Sequence, residues 1–252
     1  MNIGLIGAGE MGLAMGGHVL DKGFAVTAVD LNPKRLDDAA KRGMSVSDSL
    51  TSLAKSAEVY IVAVATDAQV IEVSEALFAA GPDGAVIVVT ATIAPETMRD
   101  LGQRFAGHGV KIIDAPVVYG AAGARQGTLL SLCGGDADAI ARVTPVLDCY
   151  SREVVRVGPI GAGQVAKACN NLLHWVHAVS NFESLLIAKR YGLDPQWMRE
   201  VLLKCPAKNG TLERFDSSRF TWQEKDMDIT MDAAQRLGLM LPLSGQVDQL
   251  VK

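Results

Sequence analysis

The chain has 252 residues and 49% of them are hydrophobic, so it can form one large domain or two moderate ones with a sizeable core. Its formal net charge of −4 lacks the strong basic excess typical of nucleic-acid binding, and no apolar run reaches the roughly 18 residues of a membrane helix. The first residues have a strand pattern instead of a signal peptide, and the four cysteines form no CxxC pair. We therefore predict a soluble, cytoplasmic protein without a nucleic-acid or membrane partner.

The N-terminal segment has the order of elements that a dinucleotide-binding unit requires. Residues 2–6 and 25–30 are short apolar runs typical of strands, and residues 13–22 between them have helical periodicity. A G-x-G-x-x-G turn precedes the helix, and it consists of Gly7, Ala8, Gly9, Glu10, Met11 and Gly12. Glycines at these positions permit a tight turn, a close approach of the backbone to a pyrophosphate, and close packing of helix on strand. We predict that these six residues bind the dinucleotide at the helix N terminus.

Asp30 ends the second strand, 18 residues after Gly12 (30 − 12). An acidic side chain at this point can accept hydrogen bonds from the ribose hydroxyls of the cofactor and repels a 2′-phosphate. The sequence therefore predicts NAD as the cofactor. NADP is the alternative, because Lys34 and Arg35 follow closely and could neutralise the phosphate.

Strands and helices continue to alternate up to residue 158. Pro33 begins a helix after an Asn32 cap, and Ser47 is expected to cap a short helix that ends near residue 55. Further helices are predicted over residues 68–80, 95–106 and 137–147, and further strands over residues 59–65, 85–89, 110–114, 129–133 and 154–157. This pattern predicts an α/β protein whose residues 1–158 form a Rossmann domain with a doubly wound sheet.

Only helical patterns follow residue 158. The stretch from Gly158 to Gly163 has three glycines and a proline and is expected to be a loop, and a helix of nearly thirty residues follows it up to Gly192. Shorter helices are predicted over residues 195–204 and 225–237. We therefore expect an all-α domain over residues 159–252, joined to the sheet domain by the long interdomain helix.

Three polar side chains share one face at the start of the long helix. Lys167 and Asn171 are four residues apart, and His174 follows three residues later. A lysine whose pKa is lowered by burial can act as a general acid or base, so this face is a candidate proton-transfer site. From spacing alone, the alternative is that Lys167 is a solvated charge. No His, Cys or Asp cluster has the spacing of metal ligands, and no metal is predicted.

Four motifs together resemble those of the β-hydroxyacid dehydrogenases, whose members include 3-hydroxyisobutyrate dehydrogenase and tartronate semialdehyde reductase. They occur in the family's order and cover nearly the whole chain. The motifs are residues 4–12, GLIGAGEMG; residues 114–120, DAPVVYG, with GTL after them at 127–129; residues 158–171, GPIGAGQVAKACNN; and residues 225–228, KDMD. The glycine motif also makes the first domain similar to that of 6-phosphogluconate dehydrogenase.

The resemblance implies a role for each motif. Lys167 is expected to be the catalytic acid/base, with Asn171 holding the substrate and His174 as a further candidate substrate contact. The backbone of Val118, Tyr119 and Gly120 is expected to bind the substrate carboxylate. Near the cofactor, Thr92 would touch the nicotinamide side and Lys225 would approach from the helical domain.

The implied reaction is hydride transfer between NAD(P) and the hydroxyl-bearing carbon of a small 3-hydroxy acid or the matching semialdehyde. Two alternatives are an imine or other semialdehyde reductase of the same superfamily, and a nucleotide-binding module without catalysis. Retention of both Lys167 and Asn171 argues against an imine reductase and against a module, because relatives of those two kinds generally lack the lysine. The sequence does not identify the particular hydroxy acid.

The chain departs from the family pattern in three places. Val118 and Tyr119 stand where the family usually has serine and glycine, so the carboxylate pocket must differ unless the Tyr119 ring turns away and packs elsewhere. The segment between Asn171 and Lys225 is shorter than usual, and family members generally continue beyond the position of Lys252. The helical domain is therefore expected to be short at its C terminus.

The long helix is apolar on more than one face. Its apolar residues include Leu172, Leu173, Trp175, Val176, Val179, Phe182, Leu185, Leu186 and Ile187. A contiguous apolar surface of this size is rarely left in water on a monomer, so we predict a homodimer or a higher homo-oligomer built through the helical domain. The alternative is that the later helices fold back and cover the whole surface.

Overall fold

The computed structural model describes residues 1–217 and 220–252, which divide into two compact units, Met1–Lys167 and Ala168–Lys252. A sheet of nine strands runs through the first unit. Its strands are β1 (Asn2–Ile6), β2 (Ala25–Val29), β3 (Ser45–Val46), β4 (Val59–Val62), β5 (Val86–Val89), β6 (Lys111–Asp114), β7 (Val117–Val118), β8 (Leu129–Gly134) and β9 (Ser151–Gly158).

The first six strands are parallel and have the spatial order β3-β2-β1-β4-β5-β6. Both β6 and β7 pair with β8 in the antiparallel sense, and β9 pairs with β8 in parallel. The order turns back at β1, where the chain crosses from β3 to β4. In open sheets of this kind, ligands bind beyond the carboxyl ends of the strands at such a point.

Seven helices accompany this sheet: α1 (Glu10–Asp21), α2 (Pro33–Lys41), α3 (Leu50–Ser56), α4 (Asp67–Ala80), α5 (Pro95–Arg104), α6 (Gly120–Gln126) and α7 (Ala137–Leu147). Alternate residues of a strand point to opposite faces of its sheet. In β4, Val59 and Ile61 accordingly pack in a core with α1, α6 and α7, whereas Tyr60 and Val62 pack in a second core with α3, α4 and α5. The predicted α/β class with a doubly wound sheet is confirmed.

Several local predictions were wrong. The strand β4 ends at Val62 and not at residue 65, and β9 begins at Ser151 and not at residue 154. The helix predicted from residue 13 begins at Glu10, because the Gly9 carbonyl already accepts a hydrogen bond from Leu13 N at 2.8 Å. Ser49, and not Ser47, caps α3 by accepting from Ser52 N at 3.2 Å. The Ser47 hydroxyl is engaged with the backbone of Ser49 and is not available to the helix.

The second unit contains helices and no strand among its described residues. The long helix α8 (Ala162–Arg190) begins in the first unit and ends in the second, and it is followed by α9 (Pro195–Leu202), α10 (Gly210–Glu213), a 3-10 turn (Phe215–Ser217), α11 (Gln223–Arg236) and α12 (Pro242–Val251). A small core joins α8 to α11 and α12 through Trp175, Ala178, Met227, Val247 and Val251.

Of the helices that the structure describes, none is long and apolar enough to cross a membrane. The predicted cytoplasmic location is not tested by this observation and stays a prediction.

Candidate active site

The glycine turn between β1 and α1 has no room for a side chain at its first and last glycines, Gly7 and Gly12. Gly7 has a φ of 93° and its N–H donates to the Val29 carbonyl at 2.9 Å. A Cβ on Gly7 would lie 2.6 Å from the Ala63 carbonyl oxygen, and a Cβ on Gly12 would overlap the carbonyl oxygen of Gly7. The turn therefore brings the N terminus of α1 to the end of β1 with bare backbone, which fits the pyrophosphate of a dinucleotide.

Asp30 lies beside this turn and supports it. Its carboxylate accepts hydrogen bonds from the N–H of Ala8 and of Asn32, both at 2.8 Å, and its side chain is only 6% exposed. Arg35 places a guanidinium nitrogen 3.5 Å from the same carboxylate, whereas Leu31 is almost fully exposed. Asp30 thus lies against the glycine turn, its role in ribose binding stays a prediction, and Arg35 is the adjacent cation.

The carboxylate of Asp114 fixes the loop that precedes α8. Asp114 ends β6 and is fully buried, and it accepts hydrogen bonds from Gly161 N at 2.7 Å and from Gln164 N at 2.9 Å. Burial raises the pKa of this carboxyl, while hydrogen bonds from backbone N–H groups, including that of Gly161, act in the opposite direction. A Cβ on Gly163 would overlap the Leu132 carbonyl oxygen, so this close contact also requires a glycine.

The side chain of Gln164 ties a second loop to the same point. Its amide oxygen accepts from Ile93 N at 3.1 Å and its amide nitrogen donates to the Ala91 carbonyl at 2.8 Å. The two bonds hold the residues on either side of Thr92, which follows β5. Lys167 lies one turn further along α8 and is half-buried. The first turn of α8 is therefore fixed to the ends of both β5 and β6.

The predicted carboxylate-binding segment lies between β7 and α6. Val118 is buried in β7, Tyr119 has a left-handed backbone with φ 83°, and Gly120 begins α6. The Tyr119 ring packs against Arg152 of β9, whose guanidinium carbon lies 4.2 Å from the ring centre. The Tyr119 hydroxyl also accepts a hydrogen bond from the same guanidinium.

In the second unit, the remaining candidates lie on α8 and α11. Asn171 is buried and its amide oxygen accepts from the side chain of Asn170 at 3.1 Å. His174 Nδ1 lies 3.0 Å from the Thr211 hydroxyl, so this imidazole completes a hydrogen bond with α10. Lys225 is half-buried in the first turn of α11.

Sequence reasoning missed three residues that this geometry brings forward: Asp114, Gln164 and Arg152. Asp114 begins the motif at residues 114–120, but the motif alone assigns no role to its side chain. The available signal for Gln164 was a polar residue among small and apolar ones at the start of a helix. For Arg152 the sequence contained no signal. Within residues 1–217 and 220–252, no group of three or more His, Cys, Asp or Glu side chains could hold a metal ion.

Comparisons with known proteins agree with this geometry. The family model described as the NAD binding domain of 6-phosphogluconate dehydrogenase matches residues 2–158. The model described as the NAD-binding of NADP-dependent 3-hydroxyisobutyrate dehydrogenase matches residues 161–252. The chain is 34% identical over 223 residues to a 3-hydroxyisobutyrate dehydrogenase of Pseudomonas aeruginosa. The matched segment covers 85% of this chain and 73% of the relative.

Two further relatives match nearly the whole chain. An NAD-dependent L-serine dehydrogenase of Pseudomonas aeruginosa is 31% identical over 261 residues, covering 96% of this chain and 88% of the relative. The solved structure of Mycobacterium tuberculosis 3-hydroxyisobutyrate dehydrogenase with L-serine has a TM-score of 0.91 at 26% identity, covering 99% of this chain and 92% of that one.

The fold, the glycine turn and these relatives define an NAD(P)-dependent oxidoreductase that acts on a CH–OH group. More narrowly, the chain belongs to the β-hydroxyacid dehydrogenase family, and the family predicted from its four motifs is confirmed.

The buried carboxylate of Asp114 generates a stability prediction. Asp114→Ala leaves the N–H groups of Gly161 and Gln164 without their acceptor, and each buried unsatisfied donor costs about 1–3 kcal/mol. We expect a clear fall in the free energy of unfolding, measured by denaturant titration. Asp37→Ala, which removes an exposed carboxylate on α2, is the control. Equal stability of the two variants would contradict the anchoring role.

The pH dependence of stability should isolate the same group. Because burial raises the folded-state pKa of Asp114 above its unfolded value, the folded state binds this proton more tightly. The contribution of Asp114 to the free energy of unfolding therefore becomes less favourable as the pH rises from its unfolded-state pKa through its folded-state pKa. Asp114→Asn removes the titration, so wild type should gain stability relative to Asp114→Asn as the pH is lowered towards about 4.

Proposed function

We propose that this protein catalyses reversible hydride transfer between NAD and the hydroxyl-bearing carbon of a small 3-hydroxy acid, with Lys167 as general acid/base. The observation that carries the proposal is the attachment of the first turn of α8 to β5 and β6 by Gln164 and Asp114. A proton-transfer group must keep a constant position relative to the reacting carbon. The attachment by Gln164 and Asp114 holds the first turn of α8, next to Lys167, in a constant position.

The proton follows the direction of the reaction. In oxidation, neutral Lys167 accepts the hydroxyl proton as the carbon is oxidised, and in reduction the protonated amine donates to the developing alkoxide. A bound nicotinamide supplies the redox chemistry, accepting or giving the hydride. Asn171, one helical turn after Lys167, orients the oxygen that gains or loses the proton.

The other candidate residues position the two reactants. Backbone N–H groups of the segment from Val118 to Gly120 anchor the substrate carboxylate, and His174 adds a polar contact. Thr92 would hold the nicotinamide side of the cofactor, and Lys225 of α11 is the other cofactor residue that the resemblance implies. The names of the relatives suggest 3-hydroxyisobutyrate and L-serine as the first substrates to test.

The role of Lys167 is tested by truncation. Lys167→Ala should lower kcat by roughly 10³-fold or more, because the step loses its proton acceptor, while the Kd for NADH stays nearly unchanged. Turnover is followed by NADH absorbance and cofactor binding by fluorescence titration. Lys189→Ala, at the far end of the same helix, is the matched control. A Lys167→Ala variant that keeps more than about a tenth of wild-type kcat would rule out the assignment.

A substrate panel separates this proposal from its alternatives. Wild type is assayed with 3-hydroxyisobutyrate, L-serine, small semialdehydes and cyclic imines, with both NAD(H) and NADP(H). Turnover of imines alone would favour an imine reductase. Cofactor binding without turnover of any compound would favour a non-catalytic nucleotide-binding module.

Cofactor preference follows from the charges around Asp30. We expect kcat/KM to favour NAD over NADP by about tenfold or more, since the Asp30 carboxylate repels a 2′-phosphate. Asp30→Asn should narrow this ratio while keeping an acceptor for the Ala8 N–H. Arg35→Ala removes the adjacent cation and should widen it. An equal or reversed preference in wild type would show that Arg35 or Lys34 governs the pocket.

The protein is further proposed to assemble through its helical region as at least a dimer. Trp175 and Leu185 of α8 are buried, but the C-terminal part of α8 and the residues that follow expose large apolar side chains. These are Phe182 at 61%, Leu186 at 41%, Ile187 at 61%, Tyr191 at 82%, Leu193 at 48% and Trp197 at 56% exposure. A second copy of the chain would remove such a surface from water.

Light scattering tests the assembly. At micromolar concentration we expect a mass of at least twice the 26.7 kDa of one chain. Ile187→Glu should shift the distribution towards the monomer, because it introduces a charge into the shared apolar surface. Val46→Glu, on an exposed strand of the first unit, should not. A fully active wild-type monomer would rule the shared interface out.

A further inference from the structure

The backbone of Tyr119 is exceptional in this chain. Among residues 1–217 and 220–252, it is the only non-glycine residue with a positive φ, 83°. This region is rare for side chains with a Cβ, and a large aromatic residue occupies it only when its surroundings enforce it. A Cβ on Gly123 would lie 2.7 Å from the Tyr119 Cβ, so the following turn of α6 also needs a glycine to accommodate this conformation.

Arg152 has a backbone irregularity of its own. Leu129 of β8 pairs with Ser151 of β9, and the next residue, Leu130, pairs with Glu153. Arg152 is therefore an extra residue without a partner on β8, which is the arrangement of a β-bulge. Bulges twist a strand locally and redirect a side chain, and they are frequent near active sites.

These two irregularities bring one pair of side chains together. The Arg152 guanidinium lies over the Tyr119 ring and donates a hydrogen bond to its hydroxyl. A planar guanidinium can stack on the ring and reach the hydroxyl at once, which an ammonium group cannot do. An incidental arginine–tyrosine contact on the surface would require neither a left-handed backbone at Tyr119 nor a β-bulge at Arg152. Because both irregularities occur at this one contact, we expect the fixed conformation of Tyr119 to have a functional role.

The segment that Tyr119 belongs to is fixed at its other end as well. His18 of α1 places Nε2 at 3.0 Å from the Ala124 carbonyl oxygen and 3.2 Å from that of Arg125, in the last turn of α6. Contacts with α1 therefore fix the end of α6. The contact of Arg152 with Tyr119 fixes the residue that precedes α6 in the same way.

We infer that Arg152 is a positioning residue for substrate binding, which acts by clamping Tyr119. The clamp keeps the backbone from Val118 to Gly120 in the left-handed turn from which its N–H groups bind the substrate carboxylate. This inference rests on the proposed function for the identity of the bound group. It differs from a direct role, in which Arg152 would bind the substrate through its own charge.

A double-mutant cycle tests the clamp. Arg152→Ala should raise KM for 3-hydroxyisobutyrate about tenfold while kcat and KM for NAD change little, because only the acid-binding segment is loosened. Tyr119→Gly removes the ring that Arg152 contacts, while glycine adopts the left-handed conformation without strain, so the KM of this variant is the reference for the second half of the cycle. Adding Arg152→Ala to Tyr119→Gly should then have no further effect. Arg104→Ala, which removes an exposed arginine on α5, is the matched control.

The cycle also distinguishes the clamp from a direct charge effect. Arg152→Lys keeps the charge and loses the planar donor group, so it should restore little of the lost affinity. Rescue by lysine, or an equal rise in KM from Arg152→Ala in the Tyr119 and Tyr119→Gly backgrounds, would overturn the inference. An unchanged KM in Arg152→Ala would overturn it too.

Thermal unfolding of the same four proteins needs no substrate. Arg152→Ala should lower Tm in the wild-type background and leave Tm unchanged in the Tyr119→Gly background. If wild type turns over no hydroxy acid, the proposed function fails, while a Tm coupling still supports the clamp on Tyr119. Additive Tm changes would contradict the clamp whatever the substrate is.

Discussion

A buried carboxylate at the end of a central strand determines how the long helix α8 begins. The two oxygens of Asp114 accept N–H groups from Gly161 and Gln164, and the close approach of Gly163 lets the loop reach them. Burial penalises the charge, as the raised pKa of this carboxyl indicates, and the backbone donors offset only part of that penalty. A carboxylate buried at this cost in desolvation indicates that Asp114 is needed to position the start of α8 more than to stabilise the fold.

From this anchor the remaining site of the first unit follows by short steps. Gln164 carries the attachment from α8 to the loop of Thr92, and the antiparallel pairing of β7 with β8 continues the sheet beyond Asp114 as far as Val118. The glycine turn of β1 is enforced by backbone contacts with the two neighbouring strands, through Val29 of β2 and Ala63 after β4. The glycine turn is thus held by backbone contacts, whereas the start of α8 depends on the side chains of Asp114 and Gln164.

This division explains what the sequence could predict. Spacing and capping are local, so the bounds of α7 were predicted to the residue and those of α8 within about two residues. The motif resemblance predicted the family and selected Lys167 as the candidate base, a role that stays a prediction. The helix α6 was missed because it consists mainly of small residues between two left-handed positions. Arg152 reaches Tyr119 only through a bulge, and no local pattern encodes the contact across 33 residues.

The central claim, hydride transfer from a hydroxy acid to the nicotinamide cofactor, is tested most directly by isotope transfer. Wild type is incubated with NAD and with 3-hydroxyisobutyrate or L-serine carrying deuterium at the hydroxymethyl carbon, and the mass of the NADH formed is measured. Direct transfer predicts NADH that carries one deuterium from at least one of the two substrates. NADH without the label, or no NADH from either acid, would contradict the account.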